Sequence, residues 1–106
     1  RDRGELRWQG WLMPAGRGTA VRAIHFGRVV YADWLRGQGL LTIIDHGNGW
    51  MSLYSRNESL LKTTGDWVAP GEEIARVGSS GGATDPALYF EIRSDGVPVD
   101  PAKWIQ

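Results

Sequence analysis

The clearest alternation of apolar and polar positions lies in Ala87-Leu88-Tyr89-Phe90-Glu91-Ile92-Arg93. Successive side chains on a strand point to opposite faces, so Leu88, Phe90 and Ile92 form a core-facing row and Ala87, Tyr89, Glu91 and Arg93 the other. The second row reads either as a solvated sheet face or as the floor of a polar groove. Before it, Gly78-Ser79-Ser80-Gly81-Gly82 supplies small, turn-forming residues.

Shorter runs of the same kind fill the rest of the chain. Residues 29–34 and 40–45 predict two antiparallel strands joined through Gly37 and Gly39, and the continuous apolar run Leu40-Leu41-Thr42-Ile43-Ile44 suits a central strand. Asn48-Gly49 predicts a tight reversal, with residues 50–55 returning as the partner strand. The pattern lapses over 56–64, where Asn57-Glu58-Ser59-Leu60-Leu61 suits a single helical turn. Pro70-Gly71 fits the centre of a type II turn, and Ser94-Asp95-Gly96 a tight turn before an edge segment, Val97-Pro98-Val99, whose proline cannot donate to a ladder. Asp100-Pro101 resembles a helix cap seating Trp104 and Ile105. Upstream, residues 6–13 are coarsely extended, residues 14–19 read as a turn, and Val21 and Ala23 as strand material. Short strands punctuated by turns, without an amphipathic helix, predict an all-β sandwich or barrel-like domain.

The length of 106 residues suits one domain spanning residues 1–106. Twelve basic residues balance twelve acidic ones without a block of like charge, which sets nucleic acid aside as a partner. The start at Arg1-Asp2-Arg3-Gly4, without methionine, is expected of a fragment of a longer protein. Six tryptophans are many for the length, and some are expected on a recognition surface.

Catalytic chemistry is sparse. The chain has no cysteine and two histidines, and neither an HExxH pattern nor a G-x-S-x-G elbow occurs. His25 reads as a surface or edge residue. Asp45 and His46 are neighbours on a strand and so point to opposite faces, a poor arrangement for one ion. Gly78 to Gly82 lacks the lysine of a phosphate loop. Glu91 is better explained as a salt-bridge partner of Arg93 than as a general base.

Several segments in order resemble the LytM, or M23 peptidase, domain of zinc peptidases that cut peptidoglycan: Gly18-Thr19-Ala20-Val21-Arg22-Ala23, Ile44-Asp45-His46-Gly47-Asn48-Gly49, Leu53-Tyr54, Gly65-Asp66-Trp67-Val68, Gly71-Glu72-Glu73-Ile74, Gly78-Ser79-Ser80-Gly81 and Leu88 through Arg93. The resemblance implies an antiparallel β-sandwich, a barrel-sandwich hybrid, with a central groove. In active members a histidine, three further residues and an aspartate supply zinc ligands where this chain has Trp8 and Leu12. The motif histidine-leucine-histidine-phenylalanine-glutamate reads Ala87-Leu88-Tyr89-Phe90-Glu91, and tyrosine-any-histidine reads Tyr54-Ser55-Arg56. The ligand positions are thus Trp8, Leu12 and Tyr89, and the assisting histidines are Ala87 and Arg56. An indole and an isobutyl group cannot coordinate zinc, and a phenol is a poor ligand until deprotonated. No metal or other cofactor is therefore expected.

Such losses resemble the degenerate LytM domains of divisome-associated murein hydrolase activators. That family implies a periplasmic, non-catalytic protein of Gram-negative bacteria that binds N-acetylmuramoyl-L-alanine amidases at the division septum and relieves their autoinhibition. It also implies an N-terminal coiled coil, absent from this sequence, that engages the FtsEX complex. The expected partner-binding groove comprises Trp8, Leu12, Tyr54, Arg56, Ala87, Tyr89, Glu91 and Arg93. Tyr89→Ala and Arg93→Ala are expected to leave melting nearly unchanged while weakening amidase binding at least tenfold. Passive binding of peptidoglycan and a residual zinc endopeptidase activity are the competing readings.

Overall fold

The computed structural model describes residues 10–100. Nine strands follow in order: β1 (Trp11–Pro14), β2 (Ala20–Arg22), β3 (Gly27–Leu35), β4 (Gly39–Gly47), β5 (Trp50–Leu60), β6 (Trp67–Val68), β7 (Glu73–Val77), β8 (Ala87–Ser94) and β9 (Val97–Val99). The main path through the sheet is β1-β8-β5-β4-β3-β6, every pair antiparallel, with β9 on β8 and a β2–β7 ribbon attached through β5. The fold is all-β, as the strand pattern predicts.

The turns follow from local chemistry. Asn48 and Gly49 have φ of 54° and 81°, and Asp95 and Gly96 52° and 82°, the paired left-handed conformations that match hairpin twist. Glu72 N–H closes the Pro70-Gly71 turn on the Ala69 carbonyl at 3.1 Å.

The expected helical turn at 57–61 is replaced by strand. β5 runs on to Leu60, but it changes partner on the way. Residues 50 to 55 pair with β8, whereas Asn57, Ser59 and Leu60 pair with Val77, Arg76 and Ala75 of β7. The bend falls at Arg56, whose φ is 69°. Local propensity loses here to ladder bonds from a distant strand, a long-range effect that the pattern of 56–64 does not carry. At the start, β1 extends through Pro14, one residue into the expected turn.

The core lies where β2–β7 covers one face of the main sheet. Val21, Val29, Ile44, Tyr54, Val68, Ile74, Val77, Phe90 and Ile92 are buried together, and the Tyr54 and Phe90 rings meet at 5.4 Å, tilted by 53°. Each large apolar side chain so enclosed contributes about 1.5–3 kcal/mol. The opposite face of β8 and β5 is enclosed as well. Ala87, Tyr89 and Glu91 on β8, and Leu53 and Ser55 on β5, are buried there, so the row opposite Phe90 is the floor of a depression and not a solvated sheet face. Among the described tryptophans, Trp34 and Trp67 are exposed and Trp11 and Trp50 half-buried. The expected extension of residues 6–9, Trp8 and the helical turn after Asp100 lie outside the described residues.

Candidate functional site: the groove over strand β8

The register assembles the groove. Leu12 of β1 stands opposite Tyr89, and Pro14 opposite Ala87, while on the other side Ser55 and Leu53 of β5 stand opposite Tyr89 and Glu91. Leu12 is 59% exposed at the rim. Because Arg56 is left-handed, its side chain leaves the strand beside Ser55 and enters an open pocket of about 470 Å³ with Leu12, Pro14, Ala87 and the 82–86 loop.

Ser80 ties that loop down. Its hydroxyl accepts a hydrogen bond from Leu40 N–H at 3.0 Å and donates to the Asn57 carbonyl at 2.6 Å. The Asn57 amide in turn donates to the carbonyls of Leu40 and Tyr54, each at 3.0 Å. Gly81, with φ of 80°, packs so closely that an added Cβ would lie 2.5 Å from Gly39 N and 2.6 Å from Gln38 C. Ser80, Asn57, Gly81 and Gln38 therefore shape the groove without being predicted for it. Their only signal in sequence is a Gly/Ser turn, and what that turn docks against is encoded elsewhere in the chain.

The floor is a buried polar triad. The Tyr89 hydroxyl donates to Glu91 Oε2 at 2.7 Å, and Arg93 Nε donates to Glu91 Oε1 at 2.8 Å. Glu91 has no exposure, which matches its expected pairing with Arg93 and leaves it no surface to offer a partner. Burial, followed by the hydrogen bond and charge of Glu91, pushes the Tyr89 phenol well above its ordinary range. The Arg56 guanidinium lies 5.8 Å from the Tyr89 ring centroid.

The structure thus joins Leu12, Arg56, Ala87 and Tyr89 and places Arg93 beside them through Glu91. Tyr54 is a correction. It stands opposite Phe90, on the core side of β5, with 1% exposure, because strand alternation turns it away from Ser55 and the groove. There it joins a second polar chain. Ile24 N–H donates to the Tyr54 hydroxyl at 3.2 Å, Tyr54 and Ser52 hydroxyls lie 2.7 Å apart, and Ser52 Oγ meets His46 Nε2 at 2.7 Å. His46 Nδ1 lies 2.9 Å from the Phe26 carbonyl, which only accepts; the neutral ring therefore carries its proton on Nδ1. Burial lowers the His46 pKa and raises that of Tyr54 to about 12. Asp45, its carboxylate 2.9 Å from Gly47 N–H, takes no part in this chain.

At the described positions where the resemblance implies zinc ligands, Leu12 and Tyr89, the side chains do not fit zinc. Leu12 has no donor atom, and the Tyr89 hydroxyl holds its proton in a bond to Glu91. Among the described residues no three histidine, cysteine, aspartate or glutamate side chains group as potential metal ligands.

Fold and groove together define a domain of the M23 type. The chain belongs to peptidase family M23, whose model matches residues 7–101. It is 53% identical over 102 residues to the murein hydrolase activator EnvC of Escherichia coli strain K12, covering 96% of this chain and 24% of that protein. It is 40% identical over 90 residues to the murein hydrolase activator NlpD of the same strain, covering 84% of this chain and 24% of that protein. Among solved structures, a putative peptidase M23 from Pseudomonas aeruginosa superposes with a TM-score of 0.85 at 27% identity, covering 88% of this chain and 41% of that one. The chain spans about a quarter of the length of the curated relatives it matches.

Proposed function

We propose that this domain is a non-catalytic activator of periplasmic N-acetylmuramoyl-L-alanine amidases. The observation that carries the reading is the groove itself: it is an open pocket with Leu12 at its rim, and its floor holds Ala87 and a Tyr89 hydroxyl bonded to Glu91, where the resemblance implies metal ligands and an assisting histidine in an active peptidase. Function resides in sites and not in folds, so a peptidase scaffold with this floor suits recognition better than hydrolysis. Similarity to proteins named murein hydrolase activators supports the same assignment.

In this reading the former substrate groove takes a helical segment of the amidase, with apolar side chains against Leu12 and Ala87 and polar groups at the rim. Capture favours the open amidase over the autoinhibited one, and no bond is made or broken by the activator. Moving that equilibrium from 1:99 to 99:1 takes a preference of about 5.5 kcal/mol. Action in the cell envelope at the division septum, and recruitment through FtsEX by a region outside this sequence, complete the proposal.

Release of dye from labelled sacculi by amidase, by this domain and by both together is the direct test. Hydrolysis confined to the mixture supports activation. Hydrolysis by the zinc-loaded domain alone would replace it with an endopeptidase, and sacculus binding without any stimulation of the amidase would replace it with a passive peptidoglycan module.

A further inference from the structure

Charge in the groove is unevenly settled. Both oxygens of Glu91 are engaged, one by Tyr89 and one by Arg93, and the residue is sealed from the pocket. It gives nothing to Arg56. Among the described residues the carboxylate that lines the pocket is Asp85, and no ion pair joins it to Arg56.

Arg56 is nevertheless held firmly. Its N–H donates to the Gln38 carbonyl at 3.0 Å, and its own carbonyl accepts from Ser80 N–H at 3.4 Å, so the left-handed backbone is fixed on both sides. The guanidinium rests over the Tyr89 ring. Its Nε is shut off from solvent and has no hydrogen-bond partner among the described residues, a condition that native structures rarely leave unanswered. Exposed Leu12, with Pro14, Pro86 and buried Ala87, gives the pocket around this cation a larger apolar share than its polar residues Thr84 and Asp85 do.

We infer that Arg56 receives a carboxylate side chain from an otherwise apolar segment of the amidase, and so selects which partner segment the groove accepts; this rests on the activator reading above. A planar guanidinium prepositioned on an aromatic ring suits a bidentate carboxylate, and burying the pair under apolar contacts removes the competition of water. The stem peptides of peptidoglycan also carry carboxylates, but a short charged peptide leaves the Leu12 rim uncovered. The combination of one cation and an apolar surround favours a protein segment in which an acidic residue is flanked by hydrophobic ones.

The test is a charge-swap titration between this chain and its amidase, with thermal melts as the folding control. Arg56→Gln weakens binding at least tenfold and Arg56→Glu more, while Arg56→Lys falls between because it keeps the charge without the planar fork. Arg56→Asn, a side chain that tolerates φ near 69°, removes the charge without straining the bend. Acidic residues of the amidase's inhibitory segment are then replaced by lysine one at a time. One replacement restores binding to the Arg56→Glu chain at least tenfold and weakens binding to the native chain. The inference is overturned if folded Arg56→Glu or Arg56→Asn binds like the native chain, or if no lysine replacement restores affinity. It is also overturned if isolated muropeptides, added as competitors, displace Arg56-dependent binding, since the carboxylate then comes from the cell wall. Failure of the native chain to bind or stimulate the amidase sinks the activator reading instead, and that outcome is seen before any variant is made.

Discussion

Arg93 Nε donates at 2.8 Å to Glu91, a carboxylate with no exposure, while the Arg93 side chain itself is only 17% exposed. An adjacent pair on one strand face thereby becomes a structural ion pair. Removing one partner leaves an uncompensated buried charge, which costs about 3–5 kcal/mol. Arg93→Ala is therefore expected to lower the melting temperature by roughly 10 °C or more. This reverses the sequence-based expectation that the substitution leaves melting unchanged, and loss of amidase binding in Arg93→Ala cannot be read as a lost contact. Differential scanning calorimetry decides the matter, with Glu91→Gln/Arg93→Ala as the second variant. A melt of Arg93→Ala within a few degrees of the native chain would show that the pair is not structural.

Leu12 presents the opposite case. Its exposure of 59% means that truncation removes little buried area, and substitutions of this kind usually stay within about 0.5 kcal/mol. Leu12→Ala is expected to melt like the native chain yet to weaken amidase binding about tenfold. Isothermal titration of the folded variant checks it; equal affinity removes Leu12 from the interface.

The loop over the pocket depends on Gly81. Alanine there meets the backbone of Gly39 and Gln38 and takes a positive φ, a combination worth about 1–3 kcal/mol from the conformation alone. We expect Gly81→Ala to destabilise the domain by about 2 kcal/mol or more and to open the loop, raising hydrogen exchange at the Ser80 amide and at Leu40 N–H. Unchanged exchange at both amides would show that the close approach is not maintained in solution.

The His46–Ser52–Tyr54 chain sets the response to pH. Burial holds the folded His46 below its ordinary value of 6.5, so the unfolded chain takes up a proton first and stability falls as pH drops below 6.5. At the other limit burial raises the Tyr54 phenol from 10.0 to about 12, so the unfolded chain loses a proton first and stability falls as pH rises from about 10 to about 12. Melting temperature against pH is expected to show a plateau between these limbs. His46→Gln should flatten the acid limb and Tyr54→Phe the alkaline one; a native acid limb retained in His46→Gln would assign it to other groups.

Local chemistry made much of the fold legible. The turns at Asn48-Gly49, Pro70-Gly71 and Asp95-Gly96 are chosen by residues within the turn, and the alternation along β8 is a property of seven consecutive side chains. The course of β5 was not legible in the same way, because the partner that converts 57–60 into strand is β7, encoded far downstream. Groove membership was readable only in part. Family spacing located Leu12, Arg56, Ala87 and Tyr89, but the same spacing included Tyr54, which strand alternation turns into the core, and Glu91, which burial seals beneath Tyr89 and Arg93.

The sequence by itself determined an all-β chain of the M23 family, since periodicity, turn chemistry and residue identity are local properties. Only the tertiary structure decided that both faces of β8 are buried, that Glu91 is already claimed by Tyr89 and Arg93, and that Arg56 faces the pocket with no ion pair among the described residues. Burial and charge pairing are set by neighbours brought from distant parts of the chain, and a side chain's surroundings are not a property of its own segment.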